Sequence, residues 1–198
     1  MLLPFVTRKT DPVSLISDEV IKEYLGFDPD LDLSQDLAIQ VLKRAVIEQG
    51  EQYTGIVWAE ADYCMESIPL LGIAAFMPIS PVFAISEVTH VAANGVETTI
   101  PEEARRYVPA SPEQYHPWGV MYPAGEPFLP GSFTVTGKAG WTEQTFPESL
   151  RMWALVRMAT LYEQRQDISL GNAASHSMPR DHTMSLLDRW RVYGSPYA

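Results

Sequence analysis

The chain holds four histidines, His90, His116, His176 and His182, and a single cysteine, Cys64. Imidazole and thiolate groups make metal sites and nucleophilic centres when they recur at short fixed spacings. Here no two histidines stand four apart and no Cys-x-x-Cys occurs, so a metal site would need distant pieces. The run Asp28-Pro29-Asp30-Leu31-Asp32 opens like a calcium loop. Its sixth position is Leu33 where that loop needs glycine, and its twelfth is Ile39 where it needs glutamate. It reads better as a solvated connection whose charge favours the start of the next helix. Gly137-Lys138-Ala139-Gly140 lacks the spacing that cradles phosphate, and there is no Gly-x-Ser-x-Gly elbow. The adjacent carboxylates Glu102 and Glu103 fit a solvated turn. The expectation is a protein that is not an enzyme, with no catalytic residues, no metal and no cofactor.

Two other groups of residues suit binding rather than bond-making. Tyr107, Tyr115, Trp118, Tyr122, Phe128 and Phe133 crowd a proline-rich region. Such a set fits the core of a small β unit, an interface between subunits, or a sugar or peptide groove. Near the chain end, Leu187, Arg189, Trp190, Arg191 and Tyr193 bring together the side-chain types that dominate binding hot spots. The same residues also fit an amphipathic helix packing Leu186, Leu187 and Trp190 on its own bundle.

The elements that must position these residues follow from periodicity and turn chemistry. Ser17 or Asp18 caps a short helix over 19–25 that stops near Gly26, and Ser34 with Asp36 opens a longer one over 34–55. In the second, Ala38, Val41, Leu42, Ala45, Gln49 and Tyr53 fall on one face, and Gly50 weakens the last turn. Residues 56–141 hold most of the prolines and glycines and read as short strands. Strands are expected over 85–92, 96–100, 106–108, 120–122 and 132–139, with 109–130 mostly a long loop. Asn94-Gly95 marks a two-residue hairpin in which both turn positions take positive φ. Pro147 starts a third helix, with Leu150, Trp153, Ala154, Met158, Leu161 and Tyr162 in a broad apolar stripe to about 167. A loop over 169–182 leads to a last helix over 184–193. The order predicts an α+β fold: a small helical bundle made of the N-terminal helices and the long C-terminal helix, with a small antiparallel β insertion at 56–141. The whole of 1–198 is one domain, with 184–198 as a docking segment.

Composition narrows the class. Of 198 residues, 46% are hydrophobic and 20% charged, enough for a real core in a soluble protein. The first nine residues place Arg8 and Lys9 after a short apolar run, the reverse of a signal peptide, so no export signal is expected. No membrane span is expected either. The net charge is −11, and it is concentrated: residues 1–145 carry 8 Lys/Arg against 20 Asp/Glu. Proteins that grip phosphates need a basic stripe, so nucleic-acid binding is disfavoured. One cysteine allows no internal disulfide.

Taken in order, several stretches resemble phage head–tail connector proteins, also called adaptor or head completion proteins. Residues 17–25 and 34–55, ending in Glu51-Gln52-Tyr53-Thr54-Gly55, resemble the opening helices of that family. Pro78-Ile79-Ser80-Pro81-Val82-Phe83-Ala84-Ile85-Ser86-Glu87-Val88 resembles its Pro-led first hairpin strand. Gly137-Lys138-Ala139-Gly140-Trp141 followed by Phe146-Pro147-Glu148-Ser149-Leu150 resembles its strand-to-helix junction. Leu161-Tyr162-Glu163-Gln164-Arg165 resembles the end of its long helix, and Ser185-Leu186-Leu187-Asp188-Arg189-Trp190-Arg191 its closing helix. Residues 109–130 and 168–183 are longer than the family pattern, and 1–13 has no counterpart in it.

The resemblance implies a virion protein at the head–tail interface, assembled in the host cytoplasm, that forms a homo-oligomeric ring, commonly of twelve copies. Its partners would be the portal protein, the next connector or tail protein, and double-stranded DNA that passes without specific binding. It implies that Leu187, Arg189, Trp190, Arg191 and Tyr193 dock on the portal. Tyr107, Tyr115, Trp118, Tyr122 and Phe128 would serve ring neighbours. A head stopper or tail terminator, or a ligand-binding module using 107–128, are the other readings.

Overall fold

The computed structural model describes residues 4–10, 14–28, 30, 37–110, 118–167 and 184–192. Strand β1 (Phe5–Arg8) is followed by helices α1 (Asp18–Leu25) and α2 (Leu37–Thr54). Strands β2 (Ala61–Leu71), β3 (Ala74–Phe76), β4 (Val82–Ala92), β5 (Glu97–Thr99), β6 (Arg105–Val108), β7 (Val120–Pro123) and β8 (Gly131–Ala139) come next. Helices α3 (Glu148–Asp167) and α4 (Met184–Asp188) close the order. The expected connection over 169–182 lies outside the described residues.

The expected fold class, a helical bundle with a small β insertion, is overturned. The dominant element is an eight-stranded antiparallel sheet in the order β5-β4-β8-β2-β3-β7-β6, with β1 added on β2. It draws on β1, far outside 56–141, and its two longest strands, β2 and β4, have 11 residues each. The helices pack at the end of this sheet. A strand that buries its side chains on one face and pairs on both edges is held by its neighbours more than by its own pattern. That is why β2 escaped the sequence reading. Its alternation is interrupted by a register shift between Met65 and Ile68 on β8, where Ser67 takes φ 58°.

The sheet cannot be flat. Seven strands about 4.8 Å apart span about 29 Å from β5 to β6. The chain crosses from Thr99 to Arg105, one edge to the other, in six steps that reach at most about 22 Å. The edges therefore curl toward each other, and the Tyr107 hydroxyl on β6 donates to the Val82 carbonyl at the start of β4 at 2.8 Å. Inside the curl Tyr63, Met65, Ile68, Met77, Val88, Met121, Phe133 and Val135 form a buried cluster.

The β4–β5 turn also differs from expectation. The Gly95 N–H donates to the Ala92 carbonyl, and the Ala92 N–H to the Val96 carbonyl, so Ala93, Asn94 and Gly95 make a three-residue loop. Only Gly95 has positive φ, 81°. Asn94 instead accepts the Val96 N–H on its side-chain oxygen at 3.1 Å.

A second cluster joins the helices to the sheet end: Ile16, Ile21, Ile39, Val46, Trp58, Leu150, Trp153, Met158, Leu187 and Trp190 are all buried in it. The stripe on α3 follows expectation at Leu150, Trp153, Ala154 and Met158. The stripe on α2 does not. Its buried residues are Ile39, Val46, Gly50 and Thr54, while Val41 is 57% exposed. The buried face includes a glycine because the Trp58 ring lies on it, and a Cβ at Gly50 would collide with that ring. Trp58 is further fixed by its indole N–H to the Thr54 hydroxyl (3.0 Å) and its backbone N–H to the Glu51 carboxylate (2.7 Å).

Candidate functional site

The C-terminal cluster is built on the last turn of α2. The Val192 N–H donates to the Thr54 carbonyl at 2.8 Å, which seats the end of the described chain against α2. The Tyr53 hydroxyl donates to the Asp188 carboxylate at 2.6 Å, and the Arg191 guanidinium lies 4.8 Å from the centre of the Tyr53 ring. Leu187 is fully buried and Trp190 nearly so. The Trp190 indole N–H donates to the Ser149 hydroxyl at 2.8 Å, and its ring meets Trp141 edge-on at 5.7 Å. Leu187 and Trp190 therefore belong to the core of the chain itself. Arg189 and Arg191 stay exposed on either side of Trp190, with Arg189 over its ring at 5.9 Å. Tyr193 lies outside the described residues.

The aromatic set divides in the same way. Tyr107 packs on the sheet core, and its burial pushes the phenol well above its ordinary range, against the opposing Ala110 backbone hydrogen bond. Phe128 meets Phe133 edge-on at 5.0 Å and also packs on the sheet core. Trp118, just before β7, and Tyr122, on it, are half-buried. Tyr115 lies outside the described residues. Phe133 is fully buried, whereas Tyr107, Trp118, Tyr122 and Phe128 are each partly buried, Tyr107 and Phe128 with the sheet core behind them.

Of the groups weighed for chemistry, His116, His176 and His182 lie outside the described residues. His90 is buried against Phe133, and its Nε2 donates to the Leu129 carbonyl at 3.0 Å. Cys64 is buried on β2. Lys138 pairs with Glu60 at 3.6 Å. Among the described residues no group of His, Cys, Asp and Glu is placed to hold a metal ion, and no helix is long and apolar enough to cross a membrane. A cavity of about 500 Å³ between the N-terminal segment and α2 brings together Arg8, Lys43, Arg44, Glu48 and Glu51. Several of these already have partners. Lys43 is paired with Asp18 at 3.1 Å, Glu51 holds the Trp58 N–H, and Arg8 donates to the Tyr63 hydroxyl at 3.1 Å.

The sequence reading passed over strand β1. Phe5-Val6-Thr7-Arg8 pairs with Glu66, Met65, Cys64 and Tyr63 of β2, and all four of its side chains are exposed. Its three leading residues are good strand formers, which was the available signal. Exposed apolar residues also stand on turns at the sheet end remote from the helices: Ile73, Val96 and Leu129.

No family model matches the sequence, and no curated protein matches it. Solved structures share its fold over nearly the whole chain. One chain in the neck of an empty gene transfer agent particle, computed with C6 symmetry, is 22% identical, with a TM-score of 0.68 over 97% of this chain and 100% of that one. One in the virion of the native gene transfer agent particle is 24% identical, with a TM-score of 0.68 over 96% of each. One in the neck of the native particle, computed with C12 symmetry, is 23% identical, with a TM-score of 0.65 over 97% of this chain and 100% of that one.

Proposed function

We propose that this chain is a structural protein of the head–tail neck of a phage-like particle, working as one subunit of a ring and carrying out no reaction. The observation behind this reading is the whole-chain likeness to neck and virion chains, with no large part of the fold left over on either side. Two of those structures were computed with six-fold and twelve-fold symmetry, which supports a ring of like copies.

In the finer reading the ring is an adaptor of twelve copies that sits below the portal, extends the DNA channel and meets the next connector or tail protein. The acidic excess of residues 1–145 supports such a channel, because a wall that lets DNA pass should not hold it. Arg189 and Arg191, exposed and braced on buried aromatic neighbours, supply the portal contact. Work of this kind needs rigid subunits and complementary surfaces, and the two shared cores provide the rigidity.

The test is to express the chain with and without the portal protein of the same particle, measure mass, and image the complex. A ring on the portal, or at the neck of assembled particles, is the expected result. A monomer that never joins portal or particle overturns the reading.

A further inference from the structure

Five strands form one continuous layer, β5-β4-β8-β2-β1, and each neighbouring pair in it is antiparallel. Strands β1 and β5 are its two outer edges. Among the described residues β1 pairs only with β2, and β5 only with β4. Every residue of both strands is exposed. Natural proteins cover or blunt such edges, because unpaired N–H and C=O groups invite another strand. Strands β1 and β5 are short and carry charge, as edges often do, but β1 also leaves Phe5 64% and Val6 40% exposed. Beside β5, Val96 is 55% exposed.

The two edges carry opposite charge. Arg8 and the adjacent exposed Lys9 stand at β1. Glu97 stands on β5, and the exposed Glu102 and Glu103 follow on the 3-10 turn (Glu102–Ala104). None of these five charges forms an ion pair within the described residues. Arg8 and Lys9 are two of only eight Lys/Arg in residues 1–145. A cationic edge on an otherwise acidic surface is matched by the anionic edge on the far side of the same layer.

Direction completes the match. Four antiparallel steps separate β1 from β5, so the two strands run the same way. A head-to-tail repeat of the subunit therefore brings β1 of one copy alongside β5 of the next in parallel. A contact between two different surfaces of the same chain closes into a ring when repeated by rotation. We propose that the ring is sewn by strand addition, the β1 edge of each copy pairing with the β5 edge of its neighbour, so that the five-stranded layers join into one belt. This deepens the ring reading above and rests on it.

The experiment is cross-linking in the assembled ring. Thr7→Cys and Thr98→Cys are combined in a Cys64→Ser background, because paired strands bring Cα atoms to about 5 to 6 Å, within reach of a disulfide. Oxidation is expected to give a covalent ladder of copies in the double variant and none in either single variant. Rings that form with no ladder overturn the strand pairing and leave the ring reading standing. A single variant that links to itself also overturns it, since the edges would then meet like to like. So does a link to a different protein. A chain that stays monomeric even with portal overturns both readings. In a second arm, Lys9→Glu or Glu97→Lys alone is expected to weaken association about ten-fold, and the two together to restore most of it. Additive loss in the double, with thermal unfolding of the subunit unchanged, overturns the charge match.

Discussion

The six-membered ring of Trp58 lies against the backbone of Gly50, on the buried face of α2. A glycine inside a helix ordinarily costs about 1 kcal/mol relative to alanine. At this position the order reverses, because any Cβ would enter the indole. Gly50→Ala is expected to destabilise the protein by about 1–3 kcal/mol through overpacking, despite its better helix propensity. Denaturant unfolding decides it, and a gain in stability would show that the Trp58 ring has room to move.

Trp190 is held by Ser149 and Trp141 inside its own subunit. Trp190→Ala is therefore expected to cost about 3–5 kcal/mol of folding stability, the usual range for a buried aromatic cut to alanine. Unfolding curves of the isolated subunit measure this without any portal present. A near-neutral result would return Trp190 to the role of a docking anchor.

Portal attachment is better tested at Arg189 and Arg191, which are exposed. Deleting 184–198 would also remove Leu187 and Trp190 from the core and so confuse docking with folding. Arg189→Glu with Arg191→Glu is expected to lower the unfolding free energy by no more than about 2 kcal/mol, since each change removes an exposed cation–ring contact of about 0.5–1 kcal/mol. Binding of the portal should fall by at least about ten-fold. Unchanged occupancy of the portal in a co-purification assay would refute the docking role.

Tyr107 and Tyr63 both titrate above the ordinary tyrosine value of 10.0, each chiefly because burial disfavours the phenolate. For Tyr63 the Arg8 guanidinium opposes that effect. A folded-state pKa raised above the unfolded one gives stability that is present while the phenol is neutral. That stability is lost as pH rises above about 10. Unfolding free energy is expected to fall between pH 10 and 12, and Tyr107→Phe to flatten that fall. The same change should lower stability near neutrality by about 1 kcal/mol through loss of the hydrogen bond to Val82. An unaltered alkaline slope would count against the burial of this phenol.

Much of the helical layer was legible. Helix α1 and the stripe of α3 announced themselves through Gly26 and through Leu150, Trp153, Ala154 and Met158 at helical spacing. The face of α2 was misread because two of its four buried residues, Gly50 and Thr54, carry little apolar signal. They are buried to receive Trp58, a residue on the far side of the turn. The sheet was legible where alternation held, as in β8, and was lost in β2, where a bulge near Ser67 and Pro69 break the two-residue period. The C-terminal cluster was found from residue types alone. Whether Trp190 looks inward or outward depends on Ser149 and Trp141, about forty and fifty residues away in sequence, and no local pattern encodes that.

The strand that joins the two halves of the sheet, β8, is the last one synthesised. It pairs with β4 on one side and β2 on the other, yet lies downstream of both. A nascent chain that has released residues 61–99 can form the β4–β5 and β2–β3 hairpins, but their inner edges stay open until 131–139 emerge. Contacts of such long sequence separation close slowly. Assembly of the subunit therefore finishes with an act of insertion, and the exposed inner edges during that interval set the moment at which a growing chain is most prone to pair with the wrong neighbour.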